Sequence, residues 1–256
     1  MKSKLLSCLT AVAAILIQSH ASAQEQVSMK LDIVAWGPRV EGLSLKAGGE
    51  AITAEPFIYT KAVAYSGSSI LELHQSADAA AKATEASQNS APLPPELAKL
   101  REKDPTIVAL AKLPAGSRRA TVLIAPAQAG TYQTVVIDDD PSKLPFGKLR
   151  IHNYSPIKVA MRCNGKTQKE LKTKESFVVD PNSNSEVIYE LAYDNQGKWQ
   201  MQENNLIPVP KDEQVQLIVL KSDADFFTSS DGSKSGFLQT VTLRRPSKED
   251  AAAANP

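Results

Sequence analysis

The stretch Lys148-Leu-Arg-Ile-His-Asn-Tyr-Ser-Pro-Ile-Lys-Val-Ala-Met-Arg-Cys-Asn-Gly165 decides the fold. Leu149, Ile151 and Asn153 alternate with Arg150, His152 and Tyr154. Beyond Ser155-Pro156, the residues Ile157, Val159, Met161 and Cys163 alternate with Lys158, Ala160 and Arg162. Successive side chains of a strand point to opposite faces, so period two on both sides of the break predicts two half-buried strands. Proline cannot donate to a ladder and Ser-Pro favours a turn, which places the break between the strands. Asn164-Gly165 tolerates positive φ at both positions and predicts the next tight turn. The expectation is an antiparallel meander.

A partial echo lies near the N-terminus. Lys30-Leu-Asp-Ile-Val-Ala-Trp-Gly-Pro38 matches Lys148-Leu-Arg-Ile-His-Asn-Tyr-Ser-Pro156 at Lys, Leu, Ile and Pro, with an aromatic residue at the same place. Each is followed by an alternating run that ends in a turn, Leu43 to Gly49 in the first and Val159 to Gly165 in the second. Two related β lobes account for this pattern; so does coincidence, because strands that begin Lys-Leu-x-Ile are common.

At the start of the chain, Lys2 and Lys4 form a short basic head, Leu5 to Ile17 are apolar, and Ala21-Ser22-Ala23 precede Gln24. This is the pattern of a secretory signal peptide over residues 1–23. Its apolar run is shorter than the roughly 20 residues a membrane span needs, and no later segment approaches that length. The expectation is export to the periplasm or the cell surface, with no transmembrane segment in the mature chain.

Removing the leader leaves 233 of 256 residues, enough for one large domain or two ordinary ones. The leader takes two lysines and no acid, so 29 basic residues become 27 against 28 acidic. That balance argues against a nucleic-acid partner. Cys8 leaves with the leader, so the mature chain holds Cys163 alone and cannot close an internal disulfide. Cys163 shares its face with Val159 and Met161, which predicts a buried thiol.

Further strands are predicted at residues 29–35, 43–46, 57–65, 70–74, 107–113, 120–125, 132–137, 176–179, 186–193, 198–202, 215–220 and 237–243, punctuated by Gly, Pro, Asn and Ser clusters. Short strands at this spacing, with no helical patterns between them, predict a β-sandwich. Ser76 to Pro92 is rich in Ala, Ser, Gln and Asn and has no large apolar residue, so it is expected to be disordered. One short helix is predicted between Pro94 and Pro105, with Leu97 and Leu100 on one face. The tail from residue 246 to 256 is expected to be disordered. The domain organisation predicted is a first lobe over residues 27–140, carrying the insert 76–105, and a second over residues 144–245.

Chemical constellations are sparse. After leader removal only His74 and His152 remain, with no G-x-S-x-G elbow to accompany them. In the predicted hairpin, His152 faces away from Cys163, which excludes a thiol dyad. Asp223-Ala-Asp225 opens like a calcium loop but lacks the third acid and the turn glycine. Asp138-Asp139-Asp140 is the best hard-cation candidate, a triple acid at a strand end, although clustered carboxylates there are more often a solvated loop. Trp36, Trp199, Tyr132, Tyr154, Tyr189 and Tyr193 are the aromatics from which a sugar platform would have to come, and Tyr154 sits on the polar face of its strand. No catalytic, cofactor or metal residue is assigned.

The stretch Arg150-Ile-His-Asn-Tyr-Ser-Pro156 followed by Ile157-Lys-Val-Ala-Met-Arg-Cys-Asn-Gly-Lys166 resembles the start of a family of bacterial exported immunoglobulin-like domains of unknown function, whose first strands read R-V-x-H-A-S-P and then V-D-V-Y-V-D-G. The arginine, serine, proline and closing glycine match in order. The resemblance implies an exported sandwich lobe and brings no site residue with it.

The fold expected is therefore all-β, an immunoglobulin-like architecture in two lobes, with one larger continuous sandwich as the alternative. The function expected is a non-enzymatic protein of the bacterial envelope that contacts a protein or an envelope polymer through sandwich loops. A metal-assisted hydrolase built on Asp138 to Asp140 is the alternative, and a structural envelope-assembly subunit a third possibility.

Overall fold

The computed structural model describes residues 25–76, 93–221 and 238–246. The first half contributes β1 (Gln26–Ala35), β2 (Val40–Ser44), β3 (Ile52–Ala54), β4 (Val63–Ser68), β5 (Ile70–Gln75), β6 (Ile107–Lys112), β7 (Arg119–Ala127) and β8 (Thr131–Asp138), with the helix α1 (Pro95–Arg101) between β5 and β6. The second half contributes β9 (Lys148–Asn153), β10 (Val159–Cys163), β11 (Thr167–Leu171), β12 (Ser176–Val179), β13 (Glu186–Asn195), β14 (Lys198–Pro208), β15 (Glu213–Lys221) and β16 (Leu238–Pro246). The chain is an all-β sandwich protein.

The strands form four sheets of four. Sheet I runs β4-β1-β7-β8, sheet II β3-β2-β5-β6, sheet III β12-β9-β15-β16 and sheet IV β11-β10-β13-β14. Adding eight to every strand number of sheets I and II yields sheets III and IV. The two halves thus share one topology, and the echo between Lys30 and Lys148 marks equivalent strands: β1 pairs parallel with β7 as Leu31↔Ala120, and β9 pairs parallel with β15 as Leu149↔Val215.

Two cores follow from the alternation. Leu31, Ile33, Val122 and Ile124 of sheet I meet Leu43, Leu71 and Leu73 of sheet II. Leu149, Ile151, Leu217 and Val219 of sheet III meet Val159, Met161, Cys163 and Leu191 of sheet IV. The opposite faces of sheets I and III are also covered, because they pack on each other. Val34, Leu123 and Ile137 from the first half join Ile218, Leu220 and Leu243 from the second in a third cluster. The parallel pairs are therefore buried on both sides, which explains near-continuous apolar runs such as Ala120-Thr-Val-Leu-Ile124 and Val215-Gln-Leu-Ile-Val-Leu220.

Two expectations are corrected. β9 and β10 are not a hairpin: they lie in facing sheets, and the Ser155-Pro156 segment carries the chain across the sandwich. Both strands point their apolar side chains into one core, and β9 takes its ladder partners from the distant β12 and β15. Asn153 seals this arch, donating from Nδ2 to the carbonyls of Ile157 (2.8 Å) and Leu171 (3.0 Å) and accepting from Ser155. The expected strand over residues 57–65 is broken at Phe57, which sits at φ 53°, so that strand β4 begins only at Val63. The polar strand β11 has no alternation to announce it.

The turn at Asn164-Gly165 forms as expected, with φ of 51° and 67° and Lys166 N donating to Cys163 O at 3.1 Å. The expected helix also forms: Pro95 opens α1 with its fixed φ, and Leu97 is buried against strand β6. The expected leader 1–23, residues 77–92 of the expected insert, Asp223, Asp225 and the tail beyond Pro246 lie outside the described residues.

Candidate functional site

The densest gathering of polar side chains lies between sheets I and III. Asp32 on β1 accepts from Arg119 Nε on β7 (2.8 Å) and, across the interface, from Arg245 Nη2 on β16 (2.8 Å). Arg245 also donates to Asp139 Oδ2 (3.1 Å) and Thr121 Oγ1 (3.3 Å), and its guanidinium lies 4.0 Å above the ring of Tyr59. Gln216 Nε2 on β15 donates to Tyr59 Oη and to Asp139 Oδ1, both at 2.8 Å. Since the amide nitrogen of Gln216 is the donor in both bonds, its Oε1 accepts from His152 Nε2 at 2.7 Å, which fixes the proton of the imidazole on Nε2. Arg150 Nη1 reaches the carbonyl of Asp138 at 2.8 Å.

Within this layer Asp32, Tyr59, Asp139, His152 and Arg245 are all buried, so two carboxylates and two guanidiniums neutralise one another out of water. Burial drives the Tyr59 hydroxyl well above its ordinary range, with Asp139 adding to the effect. Burial lowers the His152 imidazole to about 4, helped by the positive Arg150 and opposed by Gln216 and Asp139, so the ring is neutral at neutral pH. Among buried side-chain polar atoms of the described residues, Arg245 Nε alone lacks a partner. Apart from Arg245 Nε, the polar groups named in this layer bond to one another. The arrangement joins two sandwiches.

The triple acid is divided among three roles. Asp138 accepts from Ser117 Oγ (2.8 Å) and from Lys143 Nζ; burial raises its carboxyl, but these donors hold it below the ordinary range. Asp139 turns inward to Arg245, Gln216 and Thr121. Asp140 accepts from Arg118 N and Nε and from Ser142 N and Oγ, and the Arg118 contacts hold its carboxyl far below the usual range. The three do not converge on one point, and no group of His, Cys, Asp and Glu among the described residues is placed to hold a metal ion. The solvated-loop alternative fails as well for Asp139, which is 1% exposed.

His74 is remote from His152 in the fold. It lies on β5 in sheet II, with Nδ1 2.9 Å from Thr106 Oγ1 and 3.6 Å from Asp104 Oδ2. Thr106 Oγ1 donates to Asp104 Oδ1 at 2.6 Å, so the hydroxyl proton points at the acid and the histidine does not activate it. Cys163 is fully buried in the second core, and burial raises its thiol to about 11. Sheet III stands between it and the layer that holds His152.

The aromatics fall on both sides of the expectation. Tyr132 and Tyr189 are core residues, Tyr193 packs on the second core, and Trp36 and Tyr154 pack at the interface between sheets I and III. Tyr154, on the polar face of its strand, stacks on His152 with ring centroids 5.6 Å apart, because the first sandwich covers that face. Of these six, Trp199 alone is exposed, with Lys158 Nζ 4.9 Å above its ring.

Trp199 belongs to the second polar-apolar feature, strand β14. This eleven-residue edge of sheet IV exposes Trp199, Met201 and Leu206, and Ile188 stands directly opposite Leu206 on the same outer face. The register places Met201 opposite Ala192, which in turn pairs with Ala160. The far edge of the same sheet, β11, is flanked and occupied by Lys166, Lys169, Lys172 and Lys174, all exposed. From Trp199 to Pro208 the edge carries one charge, Glu203, whose carboxylate is turned to Tyr189 Oη (2.7 Å) and Thr240 Oγ1 (2.9 Å).

Compared with known protein families and with curated proteins, the chain matches none.

Proposed function

We propose that this is an exported, immunoglobulin-like binding protein of the bacterial envelope, without enzymatic activity, which docks a partner protein on the β14 edge and outer face of sheet IV. The observation that supports it is the contrast between the polar groups and that edge. The histidines and the acid cluster are held in structural bonds, and the thiol is buried in an apolar core. The long edge β14, by contrast, is guarded among the described residues only by Lys198 and Pro208 at its ends and by the bonds of Gln202 and Glu203 to β16, and exposed edges of this kind pair readily with another chain unless charges, proline or a covering element block them. The leader-like residues 1–23 support the export half of the proposal.

The test compares crosslinked, affinity-purified wild-type protein from its native envelope with a double variant, Met201→Lys and Leu206→Lys, that gives β14 the guard β11 has. A partner recovered by the wild type and reduced at least tenfold in the variant, at unchanged melting temperature, supports docking on this edge. The same partner recovered equally by both overturns it. Turnover in an assay panel that vanishes on substituting His74 or His152 would overturn the non-enzymatic assignment.

A further inference from the structure

Each sandwich has its own apolar core, but the ionisable groups that are buried concentrate between them. From the first half come Asp32 on β1, Arg119 on β7, Asp138 and Asp139 at the end of β8, and Tyr59 from the loop between β3 and β4. From the second come Arg150 and His152 on β9, Tyr154 just beyond it, and Arg245 on β16, while β15 contributes only the neutral Gln214 and Gln216.

Two ion pairs cross the interface in this layer and both are made by Arg245, which is shared between Asp32 and Asp139. Asp32 and Asp139 together balance Arg119 and Arg245, so neutralising either carboxylate leaves two buried guanidiniums to one counter-charge, and that costs far more than the loss of an exposed pair. A second proton on His152 places a cation in the same dry layer, on the side where Arg150 already stands. Protonation at any of these three groups therefore pushes the interface toward net positive charge, and none of them lies in either sandwich core.

We infer that the contact between sheets I and III is an acid-released clasp: in mild acid the two sandwiches part while each keeps its own core. The chain would then be a rigid body at neutral pH and two tethered sandwiches in acid, exposing the faces of sheets I and III that are otherwise buried. This goes beyond the proposed docking edge and does not depend on it.

The protein carries its own probe. It has two tryptophans, Trp36 at the interface and Trp199 on the outer face of sheet IV, so the Trp199→Phe chain reports on the interface alone. Emission of Trp36 and far-ultraviolet dichroism are followed together from pH 7 to pH 4, with the radius of gyration from small-angle scattering at the two ends. The expected result is a red-shifted Trp36 and a larger radius at a pH where the strand signal is unchanged. In the same background His152→Gln, which keeps a donor for Gln216, should move the emission midpoint to lower pH, and Asp139→Asn should show the red shift already at pH 7. Emission and dichroism changing together, no emission change down to pH 4, or a midpoint indifferent to both substitutions would each overturn the clasp.

Discussion

The two sandwiches repeat one strand plan, and the residues that differ at matching positions show how each was specialised. Aligning Leu31 with Leu149 through the parallel ladders places Asp32 against Arg150, Asp138 against Arg244, and Asp139 against Arg245. At all three an acid in the first half stands where a base stands in the second. The apolar partners meanwhile match in kind: Leu123 with Ile218, Ile137 with Leu243, Val135 with Val241, all in the shared cluster. A matching apolar surface lets either face pack on either, and opposite charges then select the pairing of unlike faces. The edges diverge too. β6 is covered by α1, while its counterpart β14 follows β13 through a tight turn and no helix among the described residues covers it.

The largest effect should come from breaking the charge contrast at its centre. Asp32→Ala leaves Arg119 and Arg245 facing a void, and an uncompensated buried charge costs about 3–5 kcal/mol. A denaturant titration of the variant should show that loss. A change below 1 kcal/mol would mean the two guanidiniums reach water on their own.

The next effect depends on a position where the halves differ in a titrating group. His152 occupies the place of Val34. Its folded-state value near 4 lies below the unfolded value of about 6.5, so the unfolded chain takes up the proton first. This contribution to stability is complete above pH 6.5, falls as the pH drops from 6.5 to about 4, and is constant below that. A shift of that size corresponds to about 3 kcal/mol. His152→Val, which makes the second half like the first, should remove this part of the slope in a series of denaturant titrations across pH. A slope identical in the variant would place the titration elsewhere.

Much of this was legible in the sequence, and particular residues show where legibility ends. The strand at residues 176–179 and the helix around Leu97 were apparent because periodicity and proline placement are local signals. The arch at Ser155-Pro156 was not, since whether β10 turns back beside β9 or crosses to a facing sheet depends on β12 and β15, far along the chain. The interface network was hidden for the same reason: Arg245 and Asp32 are 213 residues apart. A faint signal did exist. Asp32, Thr121 and Gln216 each interrupt an otherwise apolar run, and a polar residue in a strand buried on both faces must find a partner. The polar face of the strand that leads to Tyr154 is not a wet one, because the first sandwich lies against it, and nothing local announces that cover.

The smallest expected effect on stability is the one that bears most on function. Trp199 is 45% and Met201 59% exposed, so replacing both by Ser removes contacts that are already half in water, apart from the Lys158 ammonium over the indole. Exposed cation-π contacts contribute roughly 0.5–1 kcal/mol, and other surface substitutions stay within about 0.5 kcal/mol. The double variant should therefore melt within a few degrees of the wild type. By contrast, Leu97→Ala on α1, which uncovers the equivalent edge β6, removes a buried side chain and should cost about 2–5 kcal/mol. If the helix covers in the first half what a partner covers in the second, the Trp199/Met201 variant should lose partner capture without losing stability. The Leu97→Ala variant should lose stability first. A Trp199/Met201 variant that unfolds as readily as Leu97→Ala would show that the outer face of sheet IV is part of its own core and not a docking surface.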